Sequence, residues 1–294
     1  MKTTQTMPAA PSALAVEKTQ SGFHKFLVRF RKNWQLHLLC LLPVAYILLF
    51  RYVPMYGLQI AFKDFKPRAG IWGSEWVGFK HFISFFKAYN FTQIISNTLL
   101  ISIYSVLVGF PIPVILALML HVSERKVLKK VTQNVAYMPH FISIVVLVGI
   151  INQILNPVCG VVGTFYHMFG GIGVAPDIRS SASAFRHLFV WSGVWQQMGW
   201  NTIIYVAALS GVSHELHEAA ELDGANKLQR MWHIDLKLII PTIVTMLLLN
   251  LGKIMGAANV EKLLLLQNQV NLRWTETIGT FVYSMGMKEH QYGF

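Results

Sequence analysis

The sequence predicts an all-α, polytopic membrane protein, and three observations predict it. Of the 294 residues 54% are hydrophobic and 13% charged, with a mean hydropathy of +0.46. Soluble domains carry about 25% charged residues, so water is not the only solvent. Five apolar segments approach the ~20 residues needed to cross ~30 Å of hydrocarbon. The polar, acidic connection between the last two of them has helix-favouring composition.

Residues 1–22 are rich in Ala, Ser, Thr and Pro and read as a disordered tail. No apolar core followed by a small-residue cleavage site follows the start, so no secretory signal is expected. In 23–34, Phe23, Phe26, Leu27, Phe30 and Trp34 share one helical face, while Lys25, Arg29, Arg31 and Lys32 fill the remainder. This is the pattern of an amphipathic helix in the membrane interface, or of the basic flank of a first span.

The expected spans are Leu36–Met55, Asn97–Leu120, Val135–Leu155, His187–Leu209 and Leu238–Ala257. Pro43, Pro111 and Pro113 fall inside them, which membrane helices tolerate where neighbours re-satisfy the freed carbonyls. The segment after Thr275 turns polar too soon to complete a sixth span. Lys and Arg are divided between the two sides with little asymmetry, but Arg125, Lys126, Lys129 and Lys130 form a short dense cluster beside the second span. Such a loop faces the cytoplasm, which puts the N-terminus and the 210–241 loop there too.

The net charge of +12 fits anionic lipid headgroups, because the basic residues sit beside apolar segments. No basic stretch is interleaved with aromatics, so no nucleic-acid partner is expected. Cys40 and Cys159 read as unpaired thiols.

The 210–241 loop is polar and acidic. Ser213 is placed to cap a helix holding Glu215, Leu216, Ala219 and Ala220, with acidic residues near the positive end of the dipole. Gly224 would end it in a left-handed turn. A second amphipathic stretch, Leu228, Met231, Trp232 and Ile234, leads to Pro241 and the fifth span. Small residues on one side of a short helix and carboxylates on the other suit a rigid peg in a partner's groove; the alternative is an exposed helix lying in water or on lipid.

Glu218-Ala219-Ala220, then Gly224, then Ile234-x-Leu236 resembles the EAA loop of ABC importer permeases. The wording EAAELDGANKLQRMWHIDL, with Asn97-Thr98-Leu99 and LLLLQN at 263–268, is similar to the sugar and oligosaccharide branch, to its LplB/YtcP-like permeases, and to an alginate importer permease subunit. The resemblance covers roughly 36–294. It implies a MalF-like, type I permease domain at 35–294 with about six spans and a cytoplasmic coupling helix, in a bacterial inner membrane. It implies coupling to a separate ATPase through Glu218, Ala219, Ala220, Asp223 and Gly224. The implied partners are a second homologous permease, two ATPase subunits carrying ATP and Mg, an extracytoplasmic solute-binding protein, membrane lipid and a saccharide. Where the family often has Pro after Ile-x-Leu, this chain has Lys237, which leaves the start of the fifth span open.

No GxxxxGK[ST] phosphate loop occurs, so if transport is ATP-driven the ATPase must be another polypeptide, and no cofactor is expected in this chain. His214 to Glu218 lacks the second histidine of a zinc HExxH, and no metal or catalytic set is expected. No span has a carboxylate in its middle, which weighs against a proton-coupled secondary transporter; that reading and a membrane-embedded enzyme are the alternatives. Lys253 reads as a residue that snorkels from the end of the fifth span. In the fourth span Gly193, Gln197, Asn201 and Tyr205 repeat every four residues as a polar stripe beside Trp191 and Trp195. Amide groups and aromatic faces suit a sugar; equally, small and polar residues hold membrane helices together. Asn97, Asn152 and Gln153 are further candidates of this kind.

Overall fold

The computed structural model describes residues 31–252, 254 and 259–293. The disordered tail and most of the interfacial helix expected at 23–34 lie outside these residues, as does Lys253. The chain divides into two units at Val77–Gly78.

The first unit begins with α1, Trp34–Ile47, which contains Pro43 and continues as a π turn, Leu48–Tyr52, and a 3-10 stretch, Val53–Phe62. Together they make a 29-residue rod with no buried residue in its apolar window. A helix apolar on every side is stable only against lipid or other helices. A two-residue antiparallel ladder follows, β1 Lys63–Asp64 against β2 Glu75–Trp76, around the four-residue α2, Gly70–Gly73. Lys63 Nζ donates to Ile71 O at 2.7 Å and sits 4.7 Å from the Trp76 ring centre.

The second unit is helical among its described residues. After α3, Lys80–Lys87, come α4, Phe91–Gly109, and α5, Pro111–Val122, parted only by Phe110 and together a 32-residue apolar rod. The third expected span needs correction. Residues 126–154 form α6, Lys126–Tyr137, a 3-10 turn, Met138–Phe141, and α7, Ile144–Ile154, with a 95° bend between the limbs. Pro139 lacks a donor for the helix ladder, Ile142 is extended, and Ser143 starts a new helix by accepting from Val146 N at 3.3 Å. Val135–Leu155 is therefore not one rod.

Next come α8, Val161–Met168, and α9, Ala182–Leu209, whose 28 residues span about 42 Å at 1.5 Å per residue. α9 is long enough for a fourth span but more polar than the other long helices, and it runs through the centre of the unit, packed on α4, α5 and α6. One core joins Ile101, Leu147, Ile151, Phe185, Phe189 and Leu263; another joins Val114, Leu118, Tyr205, Leu209 and Ile239.

The last elements are α10, His214–Leu222, and α11, Lys227–Arg230, which passes through a π turn, Met231–Asp235, into α12, Leu236–Leu251. Residues 227–251 are one apolar helix with Pro241 inside it. Lys237 thus lies within an unbroken helix, and the fifth span starts earlier than the sequence pattern suggests. Short helices α13, Val260–Leu266, α14, Leu272–Thr275, and α15, Ile278–Tyr283, complete the described chain, α15 running into a π turn, Ser284–Lys288. Of the described helices, three are long and apolar enough by length and composition to cross a membrane, four counting the bent pair. Cys40 and Cys159 are free and exposed.

Candidate functional site

Two features stand out, one at the surface and one inside. The surface feature is α10 with its turn. Ser213 Oγ accepts from Glu215 N at 3.3 Å, so the expected N-cap is present. At the other end Gly224 has φ +81, with Gly224 N donating to Glu221 O at 3.0 Å and Ala225 N to Ala220 O at 2.9 Å. This bond pair is a Schellman C-cap, which needs a left-handed residue. Asp223 is the C-cap residue. Asn226 and Gln229 then close a reciprocal capping box at 2.8 and 2.9 Å.

The turn is braced on both sides. Glu221 pairs with Arg230 at 3.0 Å, and Lys227 with Glu124, just past α5, at 2.6 Å. The Lys227 hydrogen bond, then its charge, holds the Glu124 carboxyl below the usual range. Glu218 is exposed and lies 3.2 Å from His214 one turn earlier. Ala219 is exposed and Ala220 half-buried. Leu222, at 90% exposure, Leu216, Leu228 and Trp232 are exposed apolar side chains of the same segment.

The internal feature is a cavity of about 430 Å³ along α9. Gly193, Gln197, Asn201 and Tyr205, the polar stripe, all line it. So do Ser105 of α4, Asn250 near the end of α12, and Lys262 of α13. Gln197 Oε1 is 3.0 Å from His140 Nδ1, and His140 stacks on Trp200 at 4.2 Å. The Lys262 side chain is buried; Nζ donates to Phe189 O at 2.8 Å and lies 4.7 Å from the Phe189 ring centre. Burial pushes its ammonium down to about 8. Among the described residues no Asp or Glu lines the cavity.

Other predicted pathway residues lie elsewhere. Asn97 is buried and donates to Arg273 O at 2.9 Å and Glu276 O at 3.0 Å, tying α4 to the end of the chain. Asn152 accepts from Arg179 at 2.9 Å. Trp191 is half-exposed and donates to the Tyr104 hydroxyl at 3.1 Å. These three hold helices and loops together and do not line the cavity. Sequence reasoning missed Lys262 and Asn250; a lysine leading the run LLLL at 263–266 was the available signal.

Residues 109–294 match the family described as binding-protein-dependent transport system inner membrane component. The chain is 36% identical over 294 residues to the polygalacturonan/rhamnogalacturonan transport system permease protein YteP of Bacillus subtilis (strain 168), covering all of this chain and 90% of the relative. It is 37% identical over 264 residues to Protein LplB of the same organism, covering 90% of this chain and 82% of that one. Among solved structures, it superposes at TM-score 0.82 and 33% identity on a bacterial ABC transporter involved in the import of the acidic polysaccharide alginate, covering 92% of this chain and 90% of the other. A second structure, bacterial alginate ABC transporter with an alginate pentasaccharide-bound periplasmic protein, gives 0.80 at 33% identity, with 90% and 87% covered.

Proposed function

This chain belongs to the family of binding-protein-dependent transport system inner membrane components, and from that premise we propose how its two features work together. It is a permease subunit of an ABC importer and a multi-pass protein of the bacterial inner membrane. In our reading its N-terminus is cytoplasmic, α10 is the coupling helix, and the α9 cavity is part of the pathway for an acidic saccharide. The chain hydrolyses nothing itself. ATP and Mg belong to two ATPase subunits, a second permease completes the pathway, and an extracytoplasmic binding protein delivers the saccharide.

The observation that carries this reading is one helix. Residues 227–251 begin at the turn after α10 and end in the cavity wall, where Met246, Leu249 and Asn250 contribute to the lining. From Lys227 to Asn250 the rod is about 35 Å long at 1.5 Å per residue. A shift of α10 made by a closing ATPase is therefore delivered to the cavity by a continuous backbone. Alternation between two packings around an internal site is the logic of alternating access. Lys262 supports an anionic cargo: among the described lining residues it is the one charged side chain.

The test is uptake by proteoliposomes holding the assembled importer, given a panel of neutral and acidic oligosaccharides. ATP-dependent uptake of the acidic members is expected. Uptake without ATP, driven by an ion gradient, would replace this reading with a secondary transporter.

A further inference from the structure

Three side chains from three distant segments meet behind the coupling helix. Asp235 ends the π turn of the long rod and is fully buried. His217, on the inner side of α10, brings Nε2 to 2.9 Å from Asp235 Oδ1. His121, at the end of α5, brings Nε2 to 3.6 Å from the same oxygen. The ligand atoms all lie within 4.8 Å of one another. Despite this closeness, both Asp235 oxygens and His217 Nε2 are buried without a hydrogen bond of acceptable geometry. A buried carboxyl without a well-aligned donor is costly and calls for a cation.

We propose that His121, His217 and Asp235 form a site for a first-row divalent metal such as Zn2+. Two imidazole nitrogens and one carboxylate oxygen are a borderline donor set that suits zinc. Ligand atoms held about 2.0–2.1 Å from a tetrahedral zinc stand roughly 3.4 Å apart, and the two measured separations fall on either side of that value. Three protein ligands leave a fourth position for water. The α9 cavity is not lined by these residues, so the ion's role is mechanical: it fastens α10 to the rod and to the end of α5. Metal binding itself does not depend on the coupling role; only this consequence rests on it.

The assembled importer is stripped with a chelator, exposed to Zn2+ alone, and assayed for retained metal. Wild type is expected to hold one equivalent per chain more than His217→Gln or Asp235→Asn. Loss of a direct ligand should weaken binding beyond the ~10–100-fold typical of losing an outer-shell partner. Equal retention by wild type and variants would overturn the site. A second measurement uses wild type alone, in case the variants fail to assemble. Zn2+ should protect His121 and His217 from carbethoxylation, read by peptide mass spectrometry, while exposed His214 stays reactive. Unchanged labelling of His121 and His217 would equally overturn it. Both measurements report on metal, so a failure here leaves the transport reading intact, and a failure of transport leaves the metal result standing.

Discussion

At Gly224 the backbone sits at φ +81 with open space where a Cβ would point. Strain, not a clash, is what a side chain would meet there, about 1–3 kcal/mol for a non-glycine residue. Gly224→Val should leave the chain in the membrane but unwind the Schellman cap, so that saccharide-stimulated ATP hydrolysis and uptake fall together. Lys262 makes a different prediction. Burial lowers its ammonium to about 8, whereas an unfolded lysine titrates near ~10.4. The fold therefore gains stability as pH rises from about 8 towards that value, because the folded state gives up its proton first. Uptake of acidic saccharides should nevertheless decline above pH 8, as the charge disappears, and uptake of any neutral substrate should not. A fall in uptake with a steady or rising thermal midpoint identifies the charge, not unfolding, as the cause. Lys262→Gln should reproduce that loss at pH 7. Asn97→Ala, in contrast, abandons two backbone carbonyls and should lower stability by about 1–3 kcal/mol without changing which saccharides are taken up.

Between elements, the tightest fit is where α9 crosses the end of α6. A Cβ on Gly199 would lie 2.0 Å from Ala136 O, a backbone atom with no easy retreat. Gly199→Ala should push the helices apart and lower the thermal midpoint of the purified complex, in line with the ~1–3 kcal/mol of overpacked cores. The ends of α10 were legible in the sequence because they depend on neighbours in the chain: Ser213 caps two residues ahead, and Gly224 turns one residue past Asp223. The polar stripe was legible for the same reason, since four-residue spacing puts Gly193, Gln197, Asn201 and Tyr205 on one helical face. The 95° bend was not. An apolar run from Val135 to Leu155 reads as a span by length, and a single proline is tolerated in many membrane helices. Here Pro139 is followed four residues later by Ser143, a cap that gives the chain a reason to restart in a new direction.

Over the whole molecule, composition and apolar runs were enough for the class, because the bilayer's thickness constrains every span. They could not reveal contacts between segments far apart in the chain. Lys262 meets Phe189 across 73 positions, and His121, His217 and Asp235 converge from three elements, so no local spacing announces either group. Nor could they reveal that Asn97, a polar residue in an apolar helix, reaches the Arg273 and Glu276 carbonyls and Arg186. In the proposed coupling, α10 touches an ATPase. Leu222→Cys, on a chain with Cys40 and Cys159 replaced by serine, offers the most exposed apolar position of α10 as a probe. In membranes holding the complete importer, it should cross-link to the ATPase subunit, in a yield that changes when ATP is added. A Leu222→Cys chain that transports normally yet forms no ATPase adduct, or that is labelled from outside sealed cells by an impermeant thiol reagent, would contradict the account.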